Sequence, residues 1–452
     1  MKYLNRLIIL GITAGMFACV ELDLEPNSAI PAEDAFQDRK TVNAVLNGIY
    51  DALQSNSIVQ DYTLFADLAA DNLVTVGSKI EYREVYNNRI TAFNVDVEGI
   101  WNSHYDLINR ANQLIANLSG NPNFGQDYID LVVGQARFLR SLAHFNLARM
   151  FGAIPYRTDP SLGISPDEIN APRISQEQVY DLVLQDLTAA EQELEGIGRG
   201  SGPFQASEAT VKAMMARVYL YTDDFPNAAA KANEVINLTY DLVGGENYGT
   251  LYQESTGTPE VIFAVDFVND QARNELGNYT QPSGRFEVAL RKQAFEMFAA
   301  DDARKQASVA QSGNVFFLNK YTDVNNQSDN LIVLRLAEMY LIRAEALNEI
   351  GYQADGQAFE LLNTIRTRAG LDALDAGDLP NQSAFQLAIE EERRRELIGE
   401  GHRWFDLIRN GRALQVLNSK GTISNENQLL FPIPQSEIDT NRHPEMVQNS
   451  GY

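Results

Sequence analysis

Along this chain, apolar residues recur at the three-and-four spacing of a helix far more often than at the alternation of a strand. Between Phe36 and Leu53 they fall at Val42, Val45, Leu46, Ile49 and Leu53, one face of a helix. From Trp101 to Leu118 the positions are Tyr105, Ile108, Ala111, Leu114, Ile115 and Leu118. Phe138, Leu142 and Phe145 continue the pattern, and Gly152 followed by Pro155 predicts where that helix stops, because proline cannot extend one. The same reading predicts helices near 175–194, 207–222, 226–238, 331–350, 355–369, 383–399 and 403–416.

Two of these segments read as helical hairpins. Val211 to Tyr221 leads through Asp223-Asp224-Phe225-Pro226 into the alanines 228–230, and Leu331 to Ile350 leads through Gly351 and Gly356 into Phe359 to Ala369. Small residues at packing positions make them tetratricopeptide-like, although no strict 34-residue repeat is present. Between the helical blocks lie polar stretches rich in aromatics, 55–97 and 240–290, with one strand predicted at Val261-Ile262-Phe263-Ala264-Val265. Loops this long are uncommon in compact domains and are often functional.

Composition narrows the function classes. Sixty-one acids against 36 basic residues give a net charge of −25, which excludes a basic nucleic-acid footprint. The single cysteine, Cys19, excludes an intrachain disulfide and a cysteine-built metal site. His104, His144, His402 and His443 show no metal-ligand spacing, so neither a metal nor a cofactor is expected. No Walker loop or G-x-S-x-G elbow is present, and nothing marks a carboxylate pair at glycosidase separation.

The amino terminus reads as an address. Lys2 and Arg6 precede an apolar run from Leu7 to Phe17, about the length of a signal-peptide core and too short for a membrane span. Residues 1–18 are therefore expected to be a signal peptide. Met16-Phe17-Ala18-Cys19 resembles a bacterial lipobox, which assigns lipidation to Cys19 and makes 19–34 a tether ahead of a domain at 35–452. Several acyl methylenes at ~0.8 kcal/mol each would hold such a chain on a membrane.

Five further segments share one resemblance. They are Gln135-Ala136-Arg137-Phe138-Leu139-Arg140 on to Pro155; Leu334-Arg335-Leu336-Ala337-Glu338-Met339-Tyr340; Asn363-Thr364-Ile365-Arg366-Thr367-Arg368-Ala369-Gly370; Glu392-Arg393-Arg394-Arg395-Glu396-Leu397 on to Asp406; and Phe431-Pro432-Ile433-Pro434, closing with Gln448-Asn449-Ser450-Gly451-Tyr452. In this order they resemble the SusD/RagB family of nutrient-binding outer-membrane lipoproteins. The resemblance implies a mainly α, single SusD-like domain of tetratricopeptide-like helical pairs, with a loop-rich ligand-binding part and minor β. It implies a cell-surface protein without enzymatic activity that captures oligosaccharide for a SusC-like TonB-dependent transporter. Peptide is the alternative ligand. A surface hydrolase and a helical scaffold for proteins are the readings from other classes.

Within that picture the charged motifs read as structure. The acids and arginines of 391–396, and Arg335 with Glu338 and Glu345, are expected to pair at i, i+3 and i+4 along their own helices. A sugar site instead needs aromatic faces for the apolar side of a pyranose and planar polar groups for its hydroxyls. On that chemistry the candidate contacts are Asp71, Asn72, Tyr82, Arg83, Tyr86 and Asn87 in the first loop, Asn278, Tyr279 and Arg285 in the second, and Tyr321 beyond it.

Overall fold

Helices follow wherever an apolar stripe and a capping residue coincide. The computed structural model describes residues 35–161, 165–200, 202–253, 258–267 and 272–452. The expected signal peptide, Cys19 and the tether lie outside them. Residues 43–452 form one compact unit, and of the described residues 35–42 fall outside it. There the Asp38 carboxylate accepts the Thr41 backbone N–H at 2.9 Å, at the start of helix α1 (Arg39–Leu53).

Helices α2 (Tyr62–Leu68) and α3 (Ile80–Tyr86) are short, whereas α4 (Val95–Leu118) and α5 (Gln126–Phe151) are the long pair of the core. The Asn94 side chain caps α4, and Gly152, at φ 74°, ends α5 as the sequence predicts. Then come α6 (Gln176–Glu193), α7 (Glu208–Tyr221), α8 (Phe225–Ile236), α9 (Leu336–Ile350), α10 (Gln357–Arg368), α11 (Gln382–Glu396) and α12 (Arg403–Arg409). From α4 to α10 each packs on the next, and α11 also packs on α9. The α7–α8 and α9–α10 hairpins are the two expected. Buried Ala228, Ala229 and Ala232 let α8 approach α9 closely, and Asp223 takes the left-handed turn between α7 and α8. Each large apolar side chain buried between these layers contributes about 1.5–3 kcal/mol.

Three small antiparallel pairs complete the chain: β1 (Leu73–Thr75) with β3 (Val288–Leu290), β2 (Val261–Val265) with β6 (Leu331–Arg335), and β4 (Val309–Ser312) with β5 (Val315–Leu318). Two expectations change here. Residues 331–335, read as the start of a helix, form a strand, because the Leu-Ile-Val-Leu run pairs with β2 and is buried with it. The 55–97 stretch, read as loop, contains α2 and α3. Every residue of α2 is buried, so it shows no polar face and hence no periodicity to read.

The charged motifs converge at the centre of the protein. Arg335, at the end of β6, reaches Glu260 at 2.9 Å, Glu396 at 2.5 Å and Glu400 at 2.8 Å. Arg304 meets Asp302, Glu392 and Glu396 at 2.7, 2.5 and 3.0 Å. Arg368 joins Glu260 and Glu396, Lys320 joins Glu400, and the Tyr248 hydroxyl donates to Glu396. Apart from Arg304–Asp302, these pairs link separate elements, where the sequence suggested pairing along one helix. Within the 391–396 motif Arg395 alone pairs along its own helix, with Glu391 and Glu392. The proposed Arg335–Glu338–Glu345 ladder is absent: Glu338 binds Arg217 and Glu345 binds Arg409.

Candidate functional site

The β1–β3 pairing sets two loops side by side. The backbone N–H groups of Val76 and Gly77 both donate to the Glu287 carbonyl, at 3.0 and 3.1 Å. A Cβ at Gly77 would lie 2.8 Å from the Glu287 Cα, so only glycine allows this approach. The Glu287 carboxylate then accepts the Lys79 backbone N–H at 3.1 Å and the Arg285 guanidinium at 2.8 Å. Burial alone would raise the Glu287 carboxyl, but these donors outweigh it and hold it low.

Lys79, at the foot of α3, pairs with Asp96 in the first turn of α4 at 2.7 Å. Burial would depress the ammonium, and the Asp96 and Asp61 carboxylates outweigh that and hold it charged. Its Nζ stands 4.8 Å from the Tyr82 ring centre and 5.7 Å from that of Tyr279. The Arg285 guanidinium also lies 5.1 Å from the Tyr279 ring centre and donates to its hydroxyl at 3.1 Å. Below them the Tyr82 hydroxyl donates to Asp61 at 2.7 Å, and burial pushes the Asp61 carboxyl up to about 6.

Around this polar cluster lies an unusual concentration of exposed apolar side chains. Phe93 is 74% exposed, Ile80 62%, Val95 59% and Val76 51%. They share the segments that the polar cluster ties together, with Asn94 donating back to the Glu81 carbonyl and the Glu84 carboxylate. These exposed apolar side chains thus stand on the same segments as the Lys79–Asp96 pair, which the Arg285–Glu287 pair joins through the Lys79 backbone. Such an arrangement suits a ligand with an apolar face and polar edges.

The candidate contacts divide on this geometry. Asn278, Tyr279 and Arg285 meet the α3 foot; the Asn278 side chain accepts the Arg285 backbone N–H at 2.8 Å. Arg83 is exposed on α3. Tyr86, beneath Lys420, and Asn87, which caps α3, lie at its opposite end. Four residues are corrected. Asp71 is held by Arg403 and Arg394, and Asn72 is fully buried between Asp67 and Arg394. Tyr82 is buried beneath the face, and Tyr321 is buried against Tyr252. None of these four offers a free polar edge or ring to a ligand, because each fills its valences inside the protein.

Sequence chemistry missed Phe93, Ile80 and Lys79. A signal for Phe93 was available. It precedes the Asn94 cap, where an apolar residue ordinarily packs on the fourth residue of the helix, but that residue here is Glu98. Without a staple partner the ring faces solvent. Among the described residues no cluster of His, Cys, Asp or Glu is arranged to hold a metal, and no helix is long and apolar enough to cross a membrane.

A model described as the SusD family matches residues 297–423, and one described as starch-binding associating with outer membrane matches residues 22–220. A SusD-like protein of Formosa agariphila, P38, is 26% identical, with 100% of this chain and 99% of that protein covered. The chain belongs to the SusD/RagB family. Among solved SusD structures, a laminarin-binding SusD-like protein superposes with a TM-score of 0.79 at 25% identity, covering 92% of this chain and 100% of that one. A SusD superfamily protein from Bacteroides vulgatus gives 0.82 at 21% identity, covering 92% and 99%. The mainly helical SusD fold expected from the motifs is therefore the fold observed.

Proposed function

We propose that this SusD-family protein is a cell-surface glycan-binding lipoprotein, with Phe93 and its neighbours as the ligand face. The observation that carries the reading is an exposed aromatic ring, Phe93, with exposed Val76, Ile80 and Val95 on the segments that the Arg285–Glu287 and Lys79–Asp96 pairs hold together. A pyranose presents an apolar C–H face to such a ring and its equatorial hydroxyls to such polar groups. Because the paired groups already hold one another, they are preorganised and lose little entropy on binding. The laminarin-binding relative supports glycan as the ligand class. In this reading Cys19 carries the lipid, residues 19–34 tether the domain to the outer membrane, and the captured oligosaccharide passes to a SusC-like TonB-dependent transporter. Binding without chemistry is the role proposed.

Calorimetric titration of the purified protein against laminarin, starch, xylan and pectin fragments, with peptide mixtures alongside, tests this. Glycan binding that falls at least about 10-fold in Phe93→Ala and in Arg285→Ala is the expected result. Binding to peptides alone would move the face to the family's other ligand class.

A further inference from the structure

The far end of α3 carries a second concavity that the ligand face does not use. It has a volume of about 390 Å³, and among its lining residues are Asn88, Arg89, Asn425, Asn427, Gln428 and Tyr452. No Asp or Glu side chain lines it, in a protein with 61 acids. The Tyr452 hydroxyl donates to the Leu430 carbonyl at 2.8 Å, which fixes a ring that is 37% exposed. The side chains of Arg89 and Asn427 have no hydrogen-bond or ion-pair partner among the described residues.

Gln428 differs: it donates to the Asn88 carbonyl and accepts from Ser424, so it builds the wall. Asn88 is buried in a left-handed conformation, φ 49°, with its side-chain amide on the Ala69 carbonyl. The carbonyl oxygen of that same side chain has no partner. Unpartnered buried polar atoms are rare and point to an absent water or ligand. A positioned aromatic ring, a free guanidinium, the free Asn427 amide and the unpartnered Asn88 oxygen are groups that recognise a pyranose.

The two sites are joined along one helix face. Ile80, Arg83 and Asn87 stand at i, i+3 and i+7 of α3 and its cap, and the first two are exposed. Seven residues at 1.5 Å each make α3 about 10 Å long, a distance that an extended oligosaccharide spans. We propose that one glycan chain engages both ends of α3: the Phe93 face and a second pyranose-binding site formed by Arg89, Asn427 and Tyr452. This rests on the glycan-binding reading above and adds to it a requirement for chain length. Two linked weak contacts reinforce each other as an effective concentration, so long chains bind far more tightly than short ones.

The test is native affinity electrophoresis of the purified protein in gels containing laminarin, starch, xylan or pectin, with titration of the corresponding trisaccharides. Arg89→Ala/Asn427→Ala changes two solvent-facing side chains and leaves the melting temperature in place. It is expected to weaken polysaccharide binding by about 10- to 100-fold and to leave trisaccharide binding at the Phe93 face intact. Retardation equal to wild type in that variant would overturn the second site while leaving the Phe93 reading standing. Wild type that is retarded by no polysaccharide and binds no trisaccharide would overturn both.

Discussion

Arg403 lies across 332 residues of sequence from Asp71 and holds it, Nε to Oδ1, at 2.8 Å. Arg394 reaches the same carboxylate at 3.0 Å. An acid that looks from its loop like a sugar ligand is thus a tie between the first loop and the end of α11. Asp71→Asn leaves two arginines short of a counter-charge in a largely buried setting and is expected to cost about 2–4 kcal/mol. Urea unfolding measures that loss. Glycan affinity, measured well below the melting temperature, stays at the wild-type value; a selective loss of affinity in a fully stable Asp71→Asn protein would return the residue to the ligand site.

Glu396 is shared by three buried guanidinium groups, those of Arg304, Arg335 and Arg368. Glu396→Gln keeps the shape and removes the charge, so buried guanidinium groups lose their shared partner. A loss of about 3–5 kcal/mol is expected, larger than for any exposed pair such as Lys292–Glu296. Equal unfolding midpoints for Glu396→Gln and Glu296→Gln would contradict this.

Stability should peak in acidic solution. Burial alone would raise Glu396, Glu400 and Asp406, but their arginine and lysine partners outweigh it and hold all three carboxyls low. Groups depressed in the folded state stabilise it above the ordinary carboxylate range, and that contribution is lost as pH falls below about 4. Asp61 and Asp67 act oppositely, raised by burial from 3.8 to about 6. The folded state binds their protons more tightly, so stability declines as pH rises from about 4 to 6 and stays lower above that range. Urea midpoints measured from pH 3 to pH 8 should therefore be highest at about pH 4. Asp61→Asn should flatten the decline toward neutral pH while keeping the Tyr82 hydrogen bond. A monotonic profile in both proteins would contradict the assignment.

Gly77→Ala places a methyl group 2.8 Å from the Glu287 Cα and 2.0 Å from its carboxylate. The two loops must separate, at a cost of about 1–3 kcal/mol, and Arg285 then moves away from Tyr279. Ligand affinity is expected to fall at least about 10-fold, with a smaller fractional loss of stability. Calorimetry and thermal melting on the same sample distinguish this from general unfolding.

The helices, their hairpins and the family were legible because amphipathic spacing and motif order are local properties of the chain. Burial of polar residues was not. Tyr82 and Phe93 sit in one polar stretch and look alike as aromatic candidates, yet Tyr82 finds Asp61 and Gln60 beneath it while Phe93 finds no staple at Glu98. Asn72 and Tyr321 were misread for the same reason: their partners Arg394 and Tyr252 lie far away in sequence. The acids and arginines of α11 were correctly read as structural, but their partners on other elements could not be seen from helical spacing alone.

The Arg394–Asn72 and Arg403–Asp71 ties also set an order in time. A chain growing from its amino terminus makes the first loop early and the residues that anchor it almost last. Until α11 and α12 have emerged, Asp71 and Asn72 have no cations to hold, and the strand beside Gly77 has only β3 to rest on. Closing contacts of such long sequence separation is slow. Any nascent or prematurely terminated chain that ends before α11 therefore lacks the anchors of its first loop, however much of its helical body has already formed.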